Sequence, residues 1–184
     1  TESFSKRVNL LGHSMGGKAV MVASISRPEI FKKLAVVDIS PVNYAESEFI
    51  NYIELLQELN LNQIKSRKEA DIKLQERIID RNLRSFLLQN LYLDENNNYN
   101  WKINLESLKK NIENIKLFPK IQNSFNGKTL FIKGKNSNYI QEKHLPIISN
   151  FFPNYSLREI ANSGHWPHTE QQDLFRKELL TFFM

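Results

Sequence analysis

Val8-Asn9-Leu10-Leu11-Gly12-His13-Ser14-Met15-Gly16-Gly17-Lys18-Ala19-Val20 is the stretch on which the fold turns. Val8 to Leu11 is a short apolar run that predicts a buried strand, and the helix-compatible run Met15 to Ser26 follows at once. Between them lies Gly12-x-Ser14-x-Gly16, the signature of a strand-to-helix turn so tight that its central side chain projects from the end of the sheet. Such a turn leaves little room for a Cβ, so the positions two before and two after the serine are expected to be small, with Gly17 extending the small face. A helix that opens after Ser14 aims its N-terminal amides and positive dipole end at whatever the serine attacks. The Met15 N–H is therefore the expected first donor to an oxyanion. The pattern fixes only three positions, and its weight comes from context: strand before, helix after, partners later in the chain.

Working outward, the chain has 184 residues, of which 41% are hydrophobic and 11% aromatic, enough for a globular domain with a real core. It contains no run of about eighteen apolar residues and no signal-peptide pattern, so no membrane span is expected. A cytoplasmic location is expected, or a mitochondrial one in a eukaryote. Cysteine is absent, which removes disulfides, thiolate nucleophiles and cysteine-based zinc sites. The net charge of +5 is spread among acids. In the basic tract Lys65 to Arg84, Glu69, Asp71, Glu76 and Asp80 interleave the cations. That tract reads as a solvated helix face, and no nucleic-acid partner is expected.

After the first helix, Arg27-Pro28-Glu29 forms a stop, and Leu34 to Ile39 is a nearly continuous apolar run, the mark of a parallel strand buried on both faces. Strand, helix and strand in about thirty residues predict a βαβ unit. From Tyr44 to Phe118 the period changes to that of helices: Phe49, Ile53, Leu56; Ile72, Leu74, Ile78, Ile79; Leu83, Phe86, Leu87, Leu91. Asp94 to Tyr99 predicts a hairpin tip, and Asn104 a cap on the next helix. Strands resume at Thr129–Lys133 and Leu157–Ala161. Ile140–Phe152 predicts a helix interrupted by Pro146, Asn162–His168 a loop, and Gln171–Met184 a closing amphipathic helix. The expected organisation is a core from residues 1–43 and 119–184 with a helical insertion, residues 44–118, between them.

A serine hydroxyl needs a base to take its proton. Of four histidines, His13 sits on the buried side of the turn and is expected to pack or donate locally, and His144 falls in a helix with surface as its default. His165 lies in a Gly-flanked loop past the last strand, where ligands of parallel sheets bind. Gly164 favours it over His168, by giving the loop freedom to swing back over the serine. The acid must orient the imidazole. A Gly-x-x-Asp after the third strand would be usual, but here it reads Gly134-Lys135-Asn136-Ser137. Asp38, at the end of the strand next to the serine's and about 4.8 Å away, is the candidate, with a cap on the Ser40-Pro41 turn as its alternative role. Ser137 is then expected to bridge acid and histidine or to cap the helix after it.

Taken together, Gly12 to Lys18, Val36-Val37-Asp38-Ile39-Ser40-Pro41-Val42, Phe131 to Ser137 and Ser163-Gly164-His165-Trp166-Pro167-His168 resemble the YbfF-type esterases of the α/β-hydrolase superfamily and their mitochondrial relatives. The resemblance runs from the Ser14 strand to the C-terminus. It implies an α/β-hydrolase fold, here a partial parallel sheet made of the last four strands with an inserted helical cap. It implies hydrolysis of small acyl esters or thioesters with Ser14 as nucleophile, His165 as base, Asp38 as acid and Ser137 in support, without metal or cofactor. Lys135 departs from the pattern, which favours glycine there. In the family the serine's strand is the fifth, and an earlier His-Gly loop supplies the second oxyanion donor. The chain is accordingly expected to be the C-terminal part of a longer protein, unstable or inactive alone. The alternative is a protein that keeps the fold to bind ligands, or persists as a remnant, without turnover.

Overall fold

Leu34, Ala35, Val36 and Val37 are all fully buried, which a strand achieves only inside a sheet covered on both faces. The computed structural model describes residues 6–44 and 49–184, and the lead-in expected over residues 1–7 lies largely outside them. By contact the chain divides into two compact units, one of residues up to Asn43 with Leu117–Met184, the other Tyr44–Lys116.

The first unit holds a four-stranded sheet in the order β1-β2-β5-β6, built from β1 (Val8–His13), β2 (Phe31–Val37), β5 (Lys128–Gly134) and β6 (Tyr155–Ile160). All three pairings are parallel, with Gly12 opposite Val36, Val36 opposite Phe131, and Phe131 opposite Leu157. On one face Leu130, Ile132 and Ile160 pack under Phe175, Leu179 and Phe182 of α8 (Gln172–Phe183). On the other, Phe131 meets Phe152 and Tyr155 edge-on, and Gly17 of α1 (Met15–Ser26) lies against Val36. The Lys33 ammonium donates to the carbonyls of Phe182 and Phe183, which closes the C-terminus of α8 where its dipole is negative.

β1 is not buried as expected, since Val8 and Leu11 are exposed, and several element bounds also differ from expectation. β2 begins three residues earlier than Leu34 and ends before Asp38, whose backbone turns to φ 50°. Pro146 does not interrupt a long helix. It occupies the first turn of α6 (Leu145–Phe151), where its missing N–H costs nothing, after a separate 3-10 turn at Glu142–His144. The tract after β6 also contains a one-turn helix, α7 (Pro167–Glu170).

The second unit is α2 (Phe49–Glu58), α3 (Arg67–Gln75), α4 (Arg81–Leu88), a hairpin of β3 (Leu91–Leu93) and β4 (Tyr99–Trp101), and α5 (Leu105–Lys116). Ser66, Asp80 and Asn104 cap their helices by accepting from the amides of Glu69, Asn82 and Ser107. The apolar spacing overran two of these helices. Ile78 and Ile79 lie in the link before α4, where Ile78 is buried and Ile79 exposed, and Leu91 opens β3. Arg84, almost wholly buried, holds that link by donating to the carbonyls of Ile78 and Ile79 and to Asp71. No helix among the described residues is long and apolar enough to cross a membrane.

Candidate active site

Every strand of the parallel sheet delivers one polar side chain at its carboxyl end: Ser14 after β1, Asp38 after β2, Ser137 in the loop after β5, and His165 in the loop after β6. The first two stand on backbone that side-chain-bearing residues rarely adopt, Ser14 at φ 53°, ψ −120° and Asp38 at φ 50°. Their amides hold these turns in place. Ser14 N–H donates to Val37 O at 3.0 Å and Asp38 N–H to Ile132 O at 2.8 Å, so each residue is tied to the neighbouring strand.

The glycines around Ser14 divide differently from the expected pattern. A Cβ on Gly12 would collide with the backbone of Gly16 and with Val20. A Cβ on Gly17 would stand 2.5 Å from Ile39 Cγ2, whereas one on Gly16 would meet nothing within 4 Å. The close approach after the serine is therefore one residue later than expected, because Gly17 and not Gly16 faces the sheet.

Asp38 is fully buried and spends its oxygens on three donors. Gly134 N–H reaches Oδ1 at 3.0 Å, the Ser137 hydroxyl donates to Oδ2, and His165 Nδ1–H lies 2.8 Å from Oδ2. With the carboxylate accepting from Nδ1–H, the opposite nitrogen of His165 carries the lone pair, and it lies 3.0 Å from Ser14 Oγ. The structure thus brings together Ser14, His165, Asp38 and Ser137, and Asp38 gives neither oxygen to the Ser40-Pro41 turn. The Met15 amide opens α1 and so has no acceptor within the helix.

His165 reaches Ser14 from the far side of the sheet because its loop crosses the end of β5. The crossing point is Gly134, where a Cβ would run into the carbonyl of Gly164. Gly164 itself has no positive φ and faces only the Glu170 carboxylate, so the expected reason for preferring His165 is replaced by this crossing. Glu170, which the sequence did not single out, receives the amides of Gly164 and Trp166 at 2.8 and 3.0 Å and pins the loop from both sides of His165.

The other three histidines make different contacts. His13 donates from Nε2 to the His165 carbonyl at 2.7 Å, and burial pushes its imidazole down to about 4, so it stays neutral. His168 packs edge-on against His13, bonds to neither Ser14 nor Asp38, and leaves a buried Nδ1 without a partner among the described residues. His144 is not at the surface as expected. It is buried, with Nδ1 3.1 Å from Ser40 Oγ. Among the described residues no group of three or more His, Asp or Glu side chains is placed to hold a metal ion.

A hydroxyl at a strand-to-helix elbow, bonded through an imidazole to a buried carboxylate at the rim of a parallel sheet, is an arrangement that recurs across one fold family, and a family model of the alpha/beta hydrolase fold matches residues 5–172. The chain belongs to the alpha/beta hydrolase family. Its sequence is 36% identical over 178 residues to the sn-1-specific diacylglycerol lipase ABHD11 of Danio rerio, covering 94% of this chain and 56% of that protein. Esterase YbfF of Escherichia coli (strain K12) is 28% identical, with 91% and 63% covered, so the resemblance is not peculiar to the YbfF type. A solved structure, that of a marine microorganism esterase, superposes with a TM-score of 0.91 at 38% identity, covering 96% of this chain and 70% of that one. The chain spans a little over half the length of the curated relatives it matches best among these.

Proposed function

We propose that the chain carries the catalytic residues of a serine carboxylesterase acting on small acyl esters or thioesters, a reading supported by its similarity to proteins named as esterases and lipases. The observation that carries this reading is the unbroken hydrogen-bonded series Ser14 Oγ, His165 Nε2, His165 Nδ1, Asp38 Oδ2. In the proposed cycle His165 Nε2 takes the proton of Ser14 as Oγ attacks the acyl carbon. The oxyanion forms against the Met15 N–H at the positive end of α1. The imidazolium then gives its proton to the departing alkoxide or thiolate, which leaves an acyl-Ser14. Water, deprotonated by His165, attacks that ester, and the proton returns to Ser14 as the carboxylic acid departs. Asp38 accepts from His165 Nδ1–H and stabilises the imidazolium, while Ser137 and Gly134 hold its carboxylate in place.

A fluorophosphonate probe tests the reading directly. Covalent labelling of the full-length protein, abolished in Ser14→Ala and in His165→Gln, is expected. Labelling that survives Ser14→Ala would place the nucleophile elsewhere, and no labelling of the full-length protein would leave a fold that binds without turnover.

A further inference from the structure

The loop after β5 has no carboxylate to contribute, yet it touches both partners of the serine. Ser137 donates to Asp38 Oδ2. Two residues on, the half-buried Tyr139 lies face to face with the imidazole of His165, ring centroids 4.1 Å apart and planes 28° from parallel. The backbone of Tyr139 is fixed at both ends of the residue. Its N–H donates to Ser137 Oγ at 3.2 Å, and its carbonyl accepts from the buried Ser40 hydroxyl at 3.0 Å. The phenol ring is thus anchored to the same hydroxyl that holds the acid. His165 must keep Nδ1 on Asp38 and Nε2 on Ser14 at once, and rotation about its Cβ–Cγ bond breaks both contacts. A flat ring stacked on the imidazole resists that rotation. When the imidazole takes the Ser14 proton, the cation that forms faces the electron-rich surface of an aromatic ring at a distance where the attraction is appreciable.

We propose that Tyr139 is a positioning residue for the base, its ring holding the His165 imidazole in register with Asp38 and Ser14 and stabilising the imidazolium. The inference rests on the esterase reading for its effect on rate, but not for the stack itself, and the two are separable by experiment. The ring protons of His165, assigned as the histidine resonances absent in His165→Gln, report the stack by NMR of the full-length protein, the parent for every variant below, whether or not it turns over. They are expected upfield in the parent chain and in Tyr139→Phe, and to lose that shift in Tyr139→Leu. Unshifted His165 ring protons in the parent chain would overturn the proposal. The rate of fluorophosphonate acylation reports the catalytic consequence. Tyr139→Leu is expected to slow it about threefold to thirtyfold, the reach of a cation–π contact, with ester KM little changed, whereas Tyr139→Phe stays within about threefold of the parent. A Tyr139→Leu chain that acylates at the parent rate, or a Phe variant as slow as the Leu variant, refutes a role for the ring face. If the full-length protein resists the probe, the esterase reading fails, and the ring-proton shifts alone decide for or against the stack.

Discussion

Ser14 and Asp38 are neighbours across a strand pair, and both sit at positive φ. Each such conformation costs about 1–3 kcal/mol, and it persists because amides of the turn bond to the adjacent strand. In the proposed chemistry the cost has a return, since these turns are what aim a hydroxyl and a carboxylate at one imidazole. The carboxylate's work is orientation and charge, so Asp38→Asn, which keeps its shape, is expected to lower kcat by about 10⁴. Steady-state kinetics on a chromogenic ester would reveal it, and a loss under tenfold would mean that Asp38 is only a structural acceptor. Ser137 donates one of three hydrogen bonds to a carboxylate wholly out of water. Ser137→Ala is expected to reduce stability by roughly 1.5–3 kcal/mol, the worth of a hydrogen bond to a charged group. A urea midpoint equal to the parent's would contradict this.

Among the elements, α1 and the serine turn depend on two different glycines for two different contacts. Gly12 lets the turn fold back on Gly16, and Gly17 lets α1 lie on the sheet at Val36 and Ile39. Gly17→Ala is expected to cost about 1–3 kcal/mol through overpacking. Gly16→Ala, which meets open space, is expected to be neutral or to gain about 0.5 kcal/mol from reduced freedom of the unfolded chain. Thermal melts of the pair decide it, and equal losses would show that both positions face the sheet. In the second unit, Arg84 is the side chain on which the α3–α4 link depends. Arg84→Met leaves the carbonyls of Ile78 and Ile79 and the carboxylate of Asp71 without their donor, for a loss of about 3 kcal/mol. Hydrogen exchange confined to Tyr44–Lys116 would report it, and unchanged protection there would refute it.

For the molecule as a whole, buried bases make stability rise with pH in two windows. Burial pushes His13 from 6.5 to about 4, and burial also lowers His144 and His168. The unfolded chain therefore binds protons that the native state refuses, and stability is expected to fall as pH drops from about 6.5 toward 4. Lys18 follows the same logic at the alkaline end. Desolvation lowers it from 10.5 to about 8, so stability is expected to rise between those values as the native amine sheds its proton first. Urea midpoints across pH would show both slopes, and a flat profile from 4 to 6.5 would exclude the histidine effect. By itself the sequence determined what local patterning can determine: the turn at Ser14, the parallel strands from their apolar runs, the capped helices, and a short set of candidate residues for the proposed chemistry. It named Ser14, Asp38 and His165 as side chains to be brought together, because a strand's carboxyl end is readable from where its apolar run stops. Tertiary structure alone decided the rest. That Gly17 and not Gly16 meets the sheet, that Gly134 lets the His165 loop cross, and that Glu170 and His13 bond to the His165 loop while Tyr139 stacks on its imidazole all depend on contacts between residues far apart in the chain, and spacing along a sequence carries no measure of such distances.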